Sequence, residues 1–449
     1  FTSTGTAIAI ILLYFEIEAP GDYIDRVSGA FSNAAFQEMA EEYIDHDIEF
    51  STVILCCTNH DSIQQQFGLN AINDYTKDVY KLLCEYYDRN CIYRYHHDSF
   101  AIIMKNITLS ENAIRNLFYR LNPVFSYEDV KITNNMRIGY IPSSCAKGDF
   151  NKFYTIVDAN ADQLKSLKYS QEFMCYTDDS FLQFVELRQR QQRALEKAIE
   201  QDSITVFYQP IHDGNNKIVA FEALARLFDD EIGPVPPDVF VTLAEKNGLI
   251  LRLGDQIFNK IVKFASSGIL EKYGVDHISV NLSMAQCMQE DLCERYKVIL
   301  DKNHVKYDKI IFEITETEAT DAMSIVKNLV DDFKAYGFKF SLDDFGSGYA
   351  NFNYIFQLPF NIVKIDKSLL DVSQKDDKQK LLFRNVVKII KDLKLECICE
   401  GVEREDQVEM LNTLGVTHHQ GFFYSKPLCT EDLKIYLDQK ITQPKSKIN

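Results

Sequence analysis

The sequence has few basic residues for its size. It contains 48 lysines and arginines against 66 aspartates and glutamates, which gives a formal net charge of −18 over 449 residues. The acidic excess is present in both halves of the chain rather than in one tail. Such a chain repels the phosphate backbone, so general binding to DNA or RNA is excluded as its function. A small anionic ligand is compatible with this charge only where cations offset the surrounding carboxylates.

Cysteine pairs with CxxC spacing are also missing. The 11 cysteines are scattered along the chain, and none of them forms a CxxC pair. Zinc-binding and dithiol redox motifs are therefore disfavoured. We expect the cysteines to be small apolar residues of a protein in the reducing cytoplasm.

No apolar run is long enough to cross a bilayer. The longest one, Ala7 to Phe15, has nine residues, whereas a membrane-spanning helix needs about 20. The run could be a short helix or strand packed on the first domain, or the cytoplasmic end of a membrane helix whose earlier part is missing. Because the chain begins with Phe rather than Met, we expect the second: segment 1–22 would end a membrane tether, with the cytoplasmic domains attached to the inner face of the cell membrane.

The length predicts two domains, since one domain commonly uses about 150 residues. Strand-like and helical stretches alternate in residues 23–178 and predict an α/β domain. Residues 179–201 have strong helix formers and no Gly or Pro, which predicts an interdomain helix. About eight strand-like runs with helices between them follow in 190–441 and predict a TIM-like (β/α)8 barrel, before a polar tail at 442–449.

Polar residues end nearly every strand-like run of the second half. They are Glu222 and Arg226, Asn281, Glu313 and Glu316, Asp343 and Asp344, Lys364 and Asp366, Glu400 and Glu403, and Gln420. In a parallel barrel the carboxyl ends of the strands meet at one mouth, so we expect these side chains to share a pocket. Carboxylate and amide oxygens suit Mg²⁺ or Mn²⁺. So many carboxylates would not stay ionised together without cations.

The adjacent acids Asp343 and Asp344 sharpen this prediction. Neighbouring residues of a regular strand face opposite sides, so both acids can serve one site only where the strand ends. Gly346 and Gly348 follow at once and supply that end. Such a pair could serve two ions, as in two-metal hydrolysis of phosphoesters. Alone, an Asp-Asp pair is commonly a solvated turn; its occurrence with the other strand-end residues favours a site.

Taken in order, these motifs resemble those of the EAL family of cyclic di-GMP phosphodiesterases, over residues 190–441. The matching motifs are Tyr208-Gln209-Pro210, Glu222-Ala223-Leu224 with Arg226, Asn281, Glu313 to Glu316, Asp343 to Gly346, Lys364 to Asp366, Glu400 to Glu403, and Gln420-Gly421. The resemblance implies hydrolysis of cyclic di-GMP to linear pGpG with two Mg²⁺ or Mn²⁺ ions. It implies that the ions are held by Glu222, Asn281, Glu313, Asp343, Asp344 and Glu400.

The same resemblance implies roles for the remaining residues. Lys364 would assist the attacking water, Glu403 and Gln420 would order that water and its surroundings, and Glu316 would hold the loop after Asp344. Substrate contacts would come from Gln209, Leu224, Arg226 and Asp366. Ser347 stands where Thr is usual, and the loop continues as residues 349–353, a region often found at a dimer contact in the family. We therefore expect a homodimer and leave its regulation open.

Residues 23–178 resemble a GGDEF (diguanylate cyclase) domain, which implies a central, mostly antiparallel sheet with helices. The signature reads Arg94-Tyr95-His96-His97-Asp98-Ser99, with histidines at both glycine positions and Ser99 at the Glu position. Other functional positions of the family align with Cys56, Thr58, Gln64, Gln65, Tyr87 and Asn90. Side chains in place of the glycines obstruct the approach of a nucleotide. We expect no cyclase activity, disfavour GTP binding because Asp98 is the one acidic metal-ligand candidate left, and expect a regulatory role.

The two adjacent histidines, His96 and His97, invite a metal-binding interpretation. Adjacent strand residues diverge, however, and no Cys or Asp/Glu cluster completes a site in the sequence around them. The sequence therefore favours an exposed turn.

A non-catalytic receptor that binds cyclic di-GMP is the alternative function. Receptors of this kind typically lose the Glu of the EAL motif or one of the paired aspartates. Glu222, Asp343 and Asp344 are all present, which favours the enzyme. A bifunctional synthase and hydrolase is disfavoured by Cys56, Thr58 and Ser99.

Overall fold

The computed structural model describes residues 23–121, 124–127, 130–133, 135–166, 173–316, 323–347, 353–374 and 376–442. The chain divides into two compact units, Phe1–Gln189 and Arg190–Asn449. The apolar run at 7–15 and the loop at 349–352 lie outside the described residues. Within those residues, no helix combines the length and the apolar character needed to cross a membrane.

The first unit is built on a five-stranded sheet. The described strands of this unit, five in the sheet and two in a separate pair, are β1 (Phe50–Cys57), β2 (Ile92–His96), β3 (Ser99–Lys105), β4 (Val124–Tyr127), β5 (Val130–Thr133), β6 (Met136–Pro142) and β7 (Met174–Tyr176). The order in the sheet is β2-β3-β1-β6-β7, and β4 pairs with β5 separately. All neighbours in the five-stranded sheet are antiparallel except β6 and β7. The apolar run in β1 makes it the central strand, buried along its whole length.

Helices cover both faces of this sheet. They are α1 (Asn33–Asp45), α2 (His60–Tyr86), α3 (Glu111–Leu121) and α4 (Phe150–Ser166), with 3₁₀ turns at Arg89–Cys91 and Ser143–Ala146. Alternate residues of β1 enter two apolar clusters: Ile54 belongs to one and Val53 to the other. This alternation follows from the two-residue period of a strand. The hydroxyl of Ser32 caps α1 by accepting a hydrogen bond from the amide of Ala35.

A long helix, α5 (Asp179–Glu200), spans the division between the units. Its first turns contribute Phe181 and Val185 to a core cluster of the first unit. Its last turns contribute Leu195 and Ile199 to a core cluster of the second.

The second unit contains a closed barrel of eight strands. The described strands of this unit are β8 (Thr205–Asp213), β9 (Ile218–Asp229), β10 (Gly233–Val235), β11 (His277–Asn281), β12 (Ile310–Thr315), β13 (Lys339–Phe345), β14 (Ile362–Ile365), β15 (Glu396–Cys399) and β16 (His418–His419). The short β10 pairs with β9 and is not part of the barrel ring. They are ordered β10-β9-β11-β12-β13-β14-β15-β16-β8, and a further pairing of β8 with β9 closes the barrel. The predicted barrel is confirmed.

One strand departs from the predicted (β/α)8 pattern. Strand β8 runs antiparallel to both of its neighbours, β9 and β16, whereas the other barrel neighbours are parallel. The reason is the connection between β8 and β9, which is a tight turn in which the carboxylate of Asp213 accepts from the amides of Asn215 and Lys217. A parallel pair needs a crossover of a dozen or more residues, so this turn forces a hairpin.

Helices surround the barrel. They are α6 (Pro237–Lys246), α7 (Ile250–Ala265), α8 (Ile269–Tyr273), α9 (Met284–Cys287), α10 (Leu292–Lys302), α11 (Met323–Lys334), α12 (Asn353–Gln357), α13 (Lys367–Val372), α14 (Asp377–Asp392), α15 (Glu405–Leu414) and α16 (Thr430–Thr442), with a 3₁₀ turn at Tyr307–Lys309. Apolar and aromatic side chains join these helices to the strands. Phe258 of α7 stacks on Tyr296 of α10 with ring centroids 3.7 Å apart, and both belong to the cluster that includes Phe312 of β12.

Candidate active site

Most of the polar residues predicted at strand ends lie at or near the carboxyl ends of the parallel barrel strands. Glu222 lies within its strand, beside Ala223, where the parallel pairing of β9 with β11 ends. Glu222 is on β9, Asn281 ends β11, Glu313 is on β12, Asp343 and Asp344 are on β13, Lys364 is on β14, Glu400 follows β15, and Gln420 follows β16. Strand register brings neighbours together directly, because Asn281 is paired with Glu313 across β11 and β12. Residues far apart in sequence therefore meet at one end of the barrel.

Lys364 lies at the centre of this group. Its side chain is fully buried, and its Nζ contacts four carboxylates. The distances are 2.7 Å to Glu400 Oε1, 3.0 Å to Asp343 Oδ1, 3.1 Å to Glu313 Oε2 and 3.4 Å to Glu222 Oε2. One ammonium thus faces four acidic groups, which leaves an excess of negative charge in a buried place.

The electrostatics of the group follow from this imbalance. Burial and the neighbouring acids raise the pKa of Glu313 and of Asp343, and they raise the pKa of Glu400 to about 8 and that of Asp344 to about 6. Burial alone would lower the pKa of Lys364, but the surrounding carboxylates outweigh it and hold that pKa well above its usual range. Additional cations would relieve the repulsion among the acids.

The carboxylates form two groups that could each hold a metal ion. Glu222, Glu313 and Asp343 offer three ligand atoms within 4.8 Å of one another, and so do Asp343, Asp344 and Glu400. Asp343 belongs to both groups. Oxygen ligands of this kind suit hard divalent ions. One oxygen of Glu313, Oε1, is buried without a hydrogen-bond partner, which is the condition expected of an atom that can accept a cation.

The backbone of β13 explains how two adjacent acids serve the same end of the barrel. As expected from the glycine that follows, the strand ends at Phe345, directly before Gly346, and its register shifts between Leu342 and Phe345. Asp344 has a left-handed backbone, with φ at 56°. This irregularity removes the alternation of a regular strand. The amide of Asp344 also donates to Asp343 Oδ1 at 3.0 Å.

Glu316 lies beside the segment that follows β13. Its Oε2 accepts a hydrogen bond of 3.0 Å from the amide of Gly346. Gly346 has φ at 92°, a conformation that glycine adopts at little cost. The contact fixes the first residue after the strand.

A chain of amides leads from the carboxylate cluster to the chain segment after β16. Gln420 Nε2 donates to Glu222 Oε2 and also to Gln209 Oε1, the latter at 3.2 Å. Gln209 Nε2 donates in turn to the carbonyl of Ser425 at 3.1 Å. Both glutamines are buried, so these bonds orient Glu222 in a place that water does not compete for.

Two predicted residues have partners that the sequence did not suggest. Glu403 Oε1 lies 2.5 Å from Lys367 Nζ, and both side chains are 45% exposed. Asp366 caps α13, because its carboxylate accepts from the amide of Ser368 at 2.9 Å. Sequence reasoning missed Lys367. The available signal was its position directly after Asp366, at the carboxyl end of β14.

A cavity of about 490 Å³ opens beside the cluster. The predicted residues that line it are Leu224, Arg226, Asn281, Asp343 and Asp344. The guanidinium of Arg226 donates to the carbonyl of Ala225 at 2.8 Å and lies 5.7 Å from the ring centroid of Phe207. The lining also includes apolar side chains of α7, among them Ile257 and Phe258.

The fold and this cluster define a barrel protein with a candidate metal centre at the carboxyl ends of its strands. Residues 192–427 match the family model of the EAL domain. The match covers more than half of the 449 residues, and the chain belongs to the EAL domain family.

Curated relatives resemble this chain over the second unit. The signaling protein YkoW of Bacillus subtilis is 31% identical over 255 residues, which are 56% of this chain and 32% of that protein. The probable cyclic di-GMP phosphodiesterase PdeB of Escherichia coli is 33% identical over 248 residues, which are 55% of this chain and 47% of that protein. The chain spans about a third to a half of the length of these curated relatives.

Solved structures resemble it as well. The PaMucR phosphodiesterase, solved as a c-di-GMP complex, is 29% identical with a TM-score of 0.51 and covers 54% of this chain and 99% of its own. The S helix-GGDEF-EAL protein LapD of Vibrio cholerae covers 94% of this chain and 100% of its own, with a TM-score of 0.63 and 17% identity. The second likeness concerns the fold alone, and it extends over residues of both units.

Proposed function

We propose that the barrel hydrolyses cyclic di-GMP to linear pGpG with two divalent ions, Mg²⁺ or Mn²⁺. The observation that carries the proposal is the contact of Lys364 Nζ with four carboxylates at the end of the barrel. Relatives named as cyclic di-GMP phosphodiesterases and a related phosphodiesterase solved with c-di-GMP support the choice of substrate.

The ions would be held by the oxygen ligands at the barrel mouth. These are Glu222, Asn281, Glu313, Asp343, Asp344 and Glu400. The two groups of three carboxylates that share Asp343 support a pair of ions. When bound, such ions would polarise the phosphodiester and activate a water molecule.

Lys364 would supply a fixed positive charge to the reaction. The surrounding acids hold its pKa well above the usual range, which favours the protonated ammonium. An ammonium in this position donates hydrogen bonds to the attacking water or to a phosphoryl oxygen and stabilises the negative charge that develops there. Because it is already held by four carboxylates, it requires little rearrangement during the reaction.

Other residues would orient the ligands and the substrate. Gln420 fixes Glu222 through its amide, and it would order the water together with Glu403. Glu316 would hold the loop after Asp344 through Gly346. Contacts to the dinucleotide would come from Gln209, Leu224, Arg226 and Asp366; the guanidinium of Arg226, on the cavity wall, would meet a phosphate.

The first unit would be a degenerate GGDEF-like domain that regulates the barrel and makes no cyclic di-GMP. Its central strand ends in Cys56 and Cys57, and Cys56 lies opposite Ser99 in the sheet. Cys56, Cys57 and Ser99 therefore supply no carboxylate for Mg²⁺. The full-length protein would act as a homodimer attached to the membrane. Incubation of the chain with GTP and Mg²⁺ should yield neither cyclic di-GMP nor linear pGpG, the product into which the barrel would convert it.

Substitution of the proposed ligands tests the catalytic assignment. Glu222→Gln and Asp343→Asn keep the size of the side chain and remove its charge. Both variants should lose cyclic di-GMP turnover while their circular dichroism matches that of the wild type. Glu271→Gln, an exposed residue of α8, serves as the control and should keep the full rate. A fully active Glu222→Gln or Asp343→Asn variant would overturn the ligand assignment.

A further inference from the structure

Three side chains of the first unit converge at a place that the barrel site does not involve. They are His60 and Asp61, at the start of α2, and His97, in the turn between β2 and β3. Each offers one ligand atom, and the three atoms lie within 4.8 Å of one another. Asp61 Oδ1 is 3.2 Å from His60 Nδ1 and 3.7 Å from His97 Nε2.

The sequence favoured an exposed turn at His96 and His97, with no Cys or Asp/Glu cluster to complete a site. The turn is exposed, since the His97 side chain has 67% of its surface accessible. That expectation did not include His60 and Asp61. His60 and Asp61 precede His97 by more than thirty residues, and only the packing of α2 against the β2–β3 hairpin reveals that they are neighbours.

The distances suit a tetrahedral ion. Zinc binds imidazole nitrogen at 2.0–2.1 Å and carboxylate oxygen at about the same distance, so two ligand atoms of a tetrahedral site lie roughly 3.3 Å apart. The two contacts of Asp61 Oδ1, at 3.2 Å and 3.7 Å, fall on either side of that separation. Two hydrogen bonds to the same carboxylate oxygen would give similar contacts. The metal content of the protein separates the two cases.

Burial and access also suit an ion. The His60 side chain is 9% exposed, whereas that of Asp61 is 77% exposed. The His60 ring meets the His97 ring edge to face, with centroids 5.1 Å apart, so one ligand is fixed while the other two face solvent. An ion can therefore enter, and a water can complete its coordination.

The positive charge nearby is partly compensated. Arg94 donates to the backbone carbonyl of His97, so a guanidinium lies beside the turn. Burial lowers the pKa of Arg94, and the negative charges of Asp25 and Asp98 raise it in part.

We propose that His60, Asp61 and His97 form a binding site for a divalent transition-metal ion, Zn²⁺ in the first place, with water as the fourth ligand. Imidazole ligands favour Zn²⁺, Ni²⁺ and Cu²⁺ over Mg²⁺ and Ca²⁺, which separates this site from the oxygen-only cluster of the barrel. The bound ion joins the β2–β3 turn to the first turn of α2.

Metal stoichiometry of the full chain tests the proposal. The protein is dialysed against Zn²⁺ in excess Mg²⁺, and the bound zinc is counted by elemental analysis. The wild type should bind one more equivalent of zinc than His97→Gln or Asp61→Asn, both of which change exposed side chains. With Co²⁺ as the probe, the wild type should gain a tetrahedral visible absorption band that both variants lack.

A matched control is available in the same unit. His46 Nδ1 lies 3.2 Å from Glu42 Oε1, the same distance as His60 from Asp61, but no third ligand is grouped with this pair among the described residues. His46→Gln should bind as much zinc as the wild type. Equal zinc content in the wild type, His97→Gln and Asp61→Asn would overturn the proposal and leave a hydrogen-bonded His–Asp contact. Because cyclic di-GMP is not used, this result is independent of the proposed hydrolysis.

Discussion

Lys364 and Asp343 lie on neighbouring parallel strands, and Lys364 Nζ is 3.0 Å from Asp343 Oδ1 in a position where the lysine is inaccessible to solvent. Each group makes the burial of the other tolerable. A lone ammonium or a lone carboxylate in this place would carry a large desolvation cost. Because four carboxylates surround the one lysine, the site stays short of positive charge, and this shortage links the stability of the barrel to its proposed chemistry.

Lys364→Met should therefore destabilise the protein as well as abolish turnover. Removal of one partner of a buried ion pair costs about 3–5 kcal/mol. In EDTA the free energy of unfolding should fall by this whole amount. With Mg²⁺ it should fall by less, since bound cations can replace part of the missing charge. Urea denaturation under both conditions measures it.

Lys388→Met provides the comparison, because Lys388 is exposed on α14. This variant should unfold at the wild-type urea concentration in both buffers. A Lys364→Met protein as stable as the wild type in EDTA would contradict the electrostatic account of the cluster.

Gln420→Leu should lower kcat by about tenfold to hundredfold, the usual effect of losing a group that orients a metal ligand. Gln420 donates to Glu222 and to Gln209. If the two glutamines act as one unit, Gln209→Leu should cost little more when Gln420 is already leucine. Steady-state kinetics of both single variants and of the double variant give this coupling; additive losses would show that the two residues act separately.

Gly421→Ala should destabilise the barrel more than its backbone conformation would suggest. A Cβ at Gly421 would lie 2.1 Å from the carbonyl oxygen of Val402, and the expected cost is about 3 kcal/mol or more. Gly248 has the less favourable φ, 67°, but a Cβ there meets nothing within 4 Å. Gly248→Ala should cost about 1 kcal/mol. Denaturation midpoints rank the two, and the reverse order would refute the close approach of Val402.

Acid should destabilise the barrel partly through His277. Burial, with a contribution from His418, Lys339 and Lys309, lowers the pKa of folded His277 to about 3. In the unfolded chain a histidine takes up its proton near pH 6.5. The unfolded state then binds more protons between these values, so this part of the stability is complete above about pH 6.5 and falls as the pH decreases toward 3.

His277→Gln should remove that part, worth about 2 kcal/mol between pH 7 and pH 5. The measurement is the free energy of unfolding in urea at both pH values. His304→Gln, at an exposed position, should keep the pH dependence of the wild type. The same pH dependence in His277→Gln would mean that His277 is not neutral in the folded barrel.

The barrel and the meeting of its strand-end acids were predictable, because apolar runs that end in Glu222, Glu313, Asp343 and Glu400 obey one simple rule. Carboxyl ends of parallel strands face the same way. The direction of β8 was not predicted, although the turn residues between Asp213 and Lys217 carried the signal for a hairpin.

Side-chain partners were less accessible to sequence reasoning. The pairing of Glu403 with Lys367 depends on rotamers that no motif encodes. The approach of His97 to His60 depends on long-range packing of a helix on a hairpin. The order of helices and strands along the chain does not specify either contact. Both become visible only in the three-dimensional structure.

The most direct test of the central claim is the conversion of cyclic di-GMP by the full chain. The reaction is run with Mg²⁺, with Mn²⁺ and with EDTA, and its products are measured by chromatography. We predict that linear pGpG appears in proportion to the cyclic di-GMP consumed, that EDTA stops its formation, and that added metal restores it. Binding of cyclic di-GMP without any pGpG, in the presence of either metal, would contradict the account and identify the barrel as a receptor.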